Sequence, residues 1–222
     1  MNQSFQRARS PEHKEVRRRM ILDAAERVLE RDGFNDASLN AIAQEAGVVK
    51  SGLYRYFESR EEILLELLVA DLQAMVAEFA DDVTGPIEVA RLGEMMAEGF
   101  ISHPRLCLLV SRMASVLEHN ITGDTIRAIK RRLNACAEET AQTMCRAVPH
   151  WQEEEARRGV MMLYVLVSGL YPMANPPAHV RDVLCEVEFR DSAMEFEPTV
   201  RFAAQAMLRG IDAMARARVE AG

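Results

Sequence analysis

The sequence predicts an all-α chain in two parts, a small three-helix head followed by a larger helical body. Three observations predict it. Apolar residues recur at intervals of three and four almost throughout, no run of β-branched residues alternates strictly with polar ones, and glycines, prolines and short polar caps fall where the periodic segments stop and start. The composition agrees: 49% hydrophobic and 27% charged residues over 222 positions describe a globular chain with a core to fill.

The elements follow in order. A first helix is expected over 14–31, with Ile21, Ala24, Ala25, Val28 and Leu29 on one face, Gly33 as its stop and Phe34 packed back on it. Ser38 is a fitting cap for a short helix over 39–46, whose Leu39, Ile42 and Ala43 face inward and which Gly47 closes. A second short helix covers 50–57, with Leu53 and Phe57 toward the core. Ser59 and Glu62 then make a capping box, the hydroxyl accepting from one end amide and the carboxylate from another, at the head of a long helix reaching about Val83.

Gly85 and Pro86 interrupt that helix, and Pro86 suits the first position of a helix over 86–101, as Pro104 does for 104–118. Thr122 or Asp124 caps a helix over 122–147, in which Ile126, Ile129, Leu133, Cys136, Thr140 and Met144 form one buried stripe. Pro149 separates it from a helix over 152–171, ended by Pro172, Pro176 and Pro177. A loop with room for a short helix over 178–186 leads to the last helix, 198–216.

The net charge of −7 is unevenly spread. Residues 1–60 hold 11 Lys/Arg against 9 Asp/Glu, and the other 162 hold 16 against 25, so a slightly basic head precedes an acidic body. Cys107, Cys136, Cys145 and Cys185 form no C-x-x-C pair, and Cys136 and Cys145 lie ~13 Å apart along a helix, beyond disulfide reach. With no apolar signal segment near Arg7 and Arg9, a reducing cytoplasm is expected. The longest apolar run, 160–167, is far shorter than a spanning helix, so no membrane partner is expected.

Two short helices joined at Gly47 and propped by a longer one form the helix-turn-helix pattern. Gly47 allows the backbone conformation that a tight turn needs, and Leu39, Ile42, Val48, Leu53 and Phe57 set the angle of the second helix. Left outward on it are Lys50, Ser51, Gly52, Tyr54, Arg55 and Tyr56: donors, a cation and a small residue that permits close approach.

The stretches Ala41-Ile42-Ala43-Gln44-Glu45-Ala46-Gly47-Val48 and Leu53-Tyr54-Arg55-Tyr56-Phe57-Glu58-Ser59-Arg60-Glu61-Glu62-Ile63-Leu64 resemble the signature of the tetracycline-repressor (TetR) family of bacterial regulators. The match covers residues 17–68. It implies a DNA-binding domain over 14–60 and a helical ligand-binding and dimerisation domain over 61–222, the latter alike in plan only. Position by position, the resemblance implies that Ser38 and Tyr54 hold phosphates, that Asn40, Lys50 and Ser51 face base edges, that Arg60 meets a phosphate, and that Tyr56 does either. Two positions depart from the pattern: Val49 replaces a usual Ser or Thr, and Gly52 a frequent Thr or Ala. Arg17, Arg18 and Arg19, with Arg7 and Arg9 ahead of them, are further candidates for phosphate or minor-groove contact, or form a solvated face.

Other classes find less support. No G-x-G-x-x-G, G-x-x-x-x-G-K, H-E-x-x-H or G-x-S-x-G occurs, and the five histidines are scattered, so no catalytic residue, cofactor or metal is expected. A protein-binding role for the short helices would call for apolar outward residues where Lys50, Ser51 and Arg55 stand.

The implied function is a ligand-responsive transcriptional regulator, a repressor binding a palindromic double-stranded operator as a homodimer. The dimer is expected from the last two long helices: residues 160–171 are apolar except Ser168 and Gly169, and Val200, Ala203, Met207, Gly210 and Met214 repeat along the last helix. A small, largely apolar effector is expected among the body helices, where Met95, Met96, Phe100, Met113, Met144 and Met162 supply adaptable side chains. The helix over 60–83 alone joins head to body and would carry the switch.

Overall fold

The computed structural model describes residues 11–221, and every regular element among them is helical. The head holds α1 (Pro11–Asp36), α2 (Leu39–Glu45) and α3 (Lys50–Leu53); the body holds α5 (Val89–Ser102), α6 (Pro104–Arg112), α7 (Gly123–Ala147), α8 (Glu153–Ala174), α9 (Ala178–Leu184) and α10 (Phe196–Ala221). Between them runs α4 (Arg60–Asp82). Ile63, Leu64, Leu65, Leu67, Leu68 and Val69 are buried on all sides of it, because α1 packs on one flank and α6 and α7 on the others. One hydrophobic core therefore continues from head to body through α4.

Most boundaries follow the caps. Ser38 Oγ accepts from the Ala41 N–H (3.2 Å), Ser59 Oγ from Glu62 (3.1 Å) and Thr122 Oγ1 from Thr125 (3.3 Å). The Glu62 carboxylate reaches back to the Glu58 N–H (2.6 Å), so the capping box closes one residue earlier than the usual pattern.

Four expectations are corrected. Helix α1 continues past Gly33, whose φ of 80° and ψ of 174° make a kink rather than an end. Pro86 does not open a helix: the Ile87 N–H is held by the Ala147 carbonyl (2.8 Å), and α5 begins only after Glu88. Residues 104–118 are not one regular helix, because α6 passes at Met113 into a π-helical turn, Met113–Leu117, closed by the Glu118 N–H on the Met113 carbonyl (3.1 Å). Pro172 lies inside α8 instead of ending it; it is in the last turn, and Asn175 closes the helix on the Tyr171 carbonyl (2.9 Å).

In the body, α5 lies along α10, and α8 is wedged among α6, α7 and α10. Close approach is built in at Gly93, where a Cβ would lie 2.9 Å from the Gln205 Cα. Outward, α8 shows Met161, Val165 and Met173 at four-residue multiples, and α10 shows Phe202, Ala206, Gly210, Met214 and Ala217. This face of α10 differs from the expected one. Val200 is fully buried in the subunit's own core, and Ala203 and Met207 are half-buried.

Candidate nucleic-acid interface and effector cavity

Helix α2 ends on Ala46, the Val48 N–H bonds to the Ala43 carbonyl (3.0 Å), and Gly47 stands at φ 64°, a conformation a side chain would oppose. The chain then turns straight into α3. Leu53 and Phe57 bury against the head core, so the rest of the α3 surface is turned out. Regular α-helix covers only Lys50–Leu53; the expected second half is a looser turn in which Tyr56 and Phe57 N–H groups share the Leu53 carbonyl (2.9 and 3.1 Å).

Ser38, Asn40, Lys50, Ser51, Tyr54 and Arg55 are all exposed, and Gly52 and Tyr56 are half-buried. The turn thus brings the sequence candidates on the two short helices onto the outer surface of the head. Ser38 Oγ is engaged as the α2 cap, which leaves lone-pair capacity and its own proton for a further partner. On the far side Glu45 is held by Arg27 (2.8 Å) and Arg31 (2.9 Å), whose hydrogen bonds keep its carboxyl below the usual range.

Two arginines belong elsewhere. Arg60 Nε donates to the Ala37 carbonyl (2.6 Å), its Nη2 to the Phe34 carbonyl, and its guanidinium lies over the Phe34 ring (4.8 Å). Arg60 therefore locks the end of α1 to the start of α4. Arg18 likewise turns inward: Nη1 donates to the Tyr56 carbonyl (2.9 Å), Nη2 pairs with Glu66 (2.7 Å), and the plane covers Phe57 (4.2 Å). Of its neighbours, Arg17 and Arg19 stay exposed, while Arg7 and Arg9 lie outside the described residues.

Sequence reasoning missed Arg18 as a clamp, although the spacing Arg18, Ile21, Ala25 already places it on the buried face of α1. Two more head-to-body ties had no local signal. Glu66 also receives Arg132 of α7 (2.6 Å), and Arg105 of α6 forks onto Asp71 of α4 (2.8 and 2.6 Å) while pairing with Glu26 of α1. A third tie joins the Glu58 carboxylate to the Thr122 N–H (2.8 Å).

In the body a cavity of about 20 Å³ lies where α4, α5 and α7 meet, lined by Met75, Val76, Phe79, Met95, Met96, Gly99 and Thr140. Of the methionines and Phe100 expected there, Met95 and Met96 stand on its wall. Phe100, Met113 and Met144 are buried in close-packed core, and Met162 is 47% exposed on α8, so an interior role for Met162 is corrected. The difference is one of helix rotation, which composition does not encode. Gly99 faces Met75 across this wall, where a Cβ would make van der Waals contact, 3.4 Å, with the Met75 Cγ and Sδ atoms.

Comparison with known proteins matches residues 21–67 to bacterial regulatory proteins of the tetR family and residues 64–215 to the tetracyclin repressor-like C-terminal domain. The fatty acid metabolism regulator protein of Bacillus subtilis is 26% identical over 103 residues, 46% of each chain. The transcriptional regulator UidR of Escherichia coli is 29% identical over 85 residues, 38% of this chain and 41% of that one. The matches thus span under half the length of these curated relatives. Among solved structures, Thermus thermophilus FadR, a TetR-family repressor in complex with lauroyl-CoA, superposes with a TM-score of 0.56 at 15% identity, covering 86% of this chain and 92% of that one. A TetR/AcrR-family regulator from Thermobifida fusca gives 0.54 at 17% identity, covering 88% and 98%. Among the described residues no helix is long and apolar enough to cross a membrane, and no group of His, Cys, Asp and Glu is placed to hold a metal ion.

Proposed function

The chain belongs to the tetR family of bacterial regulatory proteins, and on that premise we propose that it is a dimeric, ligand-responsive repressor acting on a palindromic operator in the cytoplasm. The observation that carries the reading is the turned-out surface of α3 and the adjoining end of α2: Lys50, Ser51, Tyr54 and Arg55 beside Ser38 and Asn40, on a turn held by Gly47 and locked from behind by Arg18 and Arg60. Lys50, Ser51 and Asn40 read base edges, and Ser38, Tyr54 and Arg55 hold the backbone, with Gly52 allowing close approach and Tyr56 at the edge. The DNA-binding unit is 14–60 and the ligand and dimer unit 61–222, with α4 common to both.

The dimer forms through α8 and α10. Met161, Val165 and Met173 of one helix and Phe202 and Met214 of the other present large apolar groups to solvent, and Ala206, Gly210 and Ala217 between them let a partner helix approach closely. Two helices from each subunit make a four-helix bundle that sets the recognition helices ~34–36 Å apart.

A largely apolar effector enters between α4, α5 and α7 by widening the small cavity there, Met75, Met95 and Met96 yielding and Phe100, Met113 and Met144 supplying the packing behind. The lauroyl chain of the lauroyl-CoA bound by a repressor of the same fold supports an effector with a large apolar portion. Since α4 lines the cavity and also carries Glu62 and Glu66 beneath the recognition turn, widening the one displaces the other. A ligand preferring the DNA-free form ~100-fold supplies ~2.7 kcal/mol of coupling. The test is selection from random DNA with the full chain, followed by operator titrations across salt and with hydrophobic compounds that raise the melting temperature. An enriched inverted repeat whose affinity falls steeply with salt and with ligand is expected. An asymmetric site, or none, would refute the reading.

A further inference from the structure

Among the polar groups of the recognition turn the protein leaves one apolar side chain bare. Val49 is 72% exposed, next to Lys50 and Ser51. Its backbone is extended (φ −75°, ψ 146°), and it precedes α3 without making a side-chain hydrogen bond to it. A serine or threonine in that place would give a hydroxyl to the helix and to a phosphate; valine can do neither. Gly52 completes the arrangement. A Cβ at position 52 would meet Val49 Cγ2 at 3.6 Å, so the isopropyl group leans over bare backbone one turn on, and its flank is unobstructed.

A phosphate oxygen pressed against this group would lose water and gain no donor. The major groove displays one apolar group, the 5-methyl of thymine. We propose that Val49 is a specificity-determining residue that packs against a thymine methyl group, Gly52 providing the clearance that lets the base edge come down beside it. The inference rests on the DNA-reading role argued above, and it turns two departures from the family pattern into one device. Lys50 and Ser51 on the same turn would set the register of the neighbouring base pairs, while Val49 favours thymine over cytosine, which lacks the methyl, at its own position.

The test starts from the selected operator. Each thymine is replaced in turn by deoxyuridine, which removes the methyl group and keeps every hydrogen-bonding atom. For the native chain, one thymine in each half-site should be sensitive, with a loss of about fourfold in affinity per half-site, the worth of one buried methyl group. In Val49→Ala and in Val49→Ser the ratio of thymine to uracil affinity at that position should fall to about one. Val49→Ser restores a helix cap, so loss of discrimination there cannot come from a melted recognition turn. No sensitive thymine in the native chain would overturn the inference, as would a sensitivity that persists in both variants, because another side chain would then read the methyl. Failure to enrich any sequence would overturn the DNA-reading role itself, a separate outcome.

Discussion

Removing the Arg105 guanidinium should separate the head from the body more than any surface change. Arg105 sits on α6, forks onto both oxygens of Asp71 on α4, and pairs with Glu26 and Glu30 on α1. The Asp71 side chain is only 11% exposed. Arg105→Met keeps the aliphatic stem and leaves that carboxylate without its partner, a change that costs ~3–5 kcal/mol for a fully buried pair. The guanidinium reaches the rim, so about 2–3 kcal/mol is the reasoned figure, or a fall of about 4–12 °C in Tm for a chain of this length. Asp71→Leu combined with Arg105→Met leaves nothing unpaired on α4 or α6 and should return to within about 1 kcal/mol of the native chain. Urea unfolding at one fixed protein concentration measures all four corners of the cycle, and a coupling of about 2 kcal/mol between the sites is expected. Additive single effects, or an Arg105→Met chain within about 0.5 kcal/mol of native, would show that the fork contributes no more than an exposed ion pair.

Arg18→Met should lower operator affinity about tenfold while leaving the dependence of log affinity on log salt unchanged, because Arg18 holds the Tyr56 carbonyl rather than a phosphate; a shallower slope in titrations would reassign it to the DNA. Phe202→Glu with Met214→Glu should give folded monomers in sedimentation that bind operator poorly, and persistence of the dimer would rule out the exposed face of α10 as the interface. Gly93→Ala should destabilise by about 1–2 kcal/mol in urea, since the new Cβ meets the Gln205 backbone, which cannot rotate away; an unchanged midpoint would mean that α5 and α10 separate freely. Burial raises the Asp212 carboxyl, but hydrogen bonds from Arg216, Trp151 and His150 outweigh it and hold its pKa below the ordinary aspartate value. Its stabilising share is therefore complete above about pH 4 and lost as pH falls through the lower folded value, so Asp212→Asn should show a shallower acid-unfolding profile than native below that pH.

The helical class, the head's three helices and its outward residues were legible because each rests on local chemistry. Ser38, Ser59 and Thr122 cap the next turn whatever surrounds them, and Gly47 alone accepts its backbone angle at no steric cost. The three-and-four spacing of Ile21, Ala25 and Val28 marks a buried face before any partner is known. The same local rules misjudged Pro172, where the body's packing carries α8 on past a residue that lacks an N–H.

Where side chains meet across elements, the tertiary structure alone decided. Periodicity says that a face is buried and not against what, so Val200 went to the subunit's own core while Phe202, two positions on, is left 76% exposed. Methionines at helical spacing were equally eligible for a cavity; the rotation of α4, α5 and α7 chose Met75, Met95 and Met96 and put Met162 outside. Arginine is the extreme case. Its charge reads as solvent-facing in a sequence, yet its planar fork reaches carbonyls and carboxylates 26, 34 or 38 residues away, which is how Arg60, Arg105 and Arg18 come to join head and body. Composition and spacing thus determined which polar residues the two short helices turn outward, and long-range pairing determined what holds that surface in place.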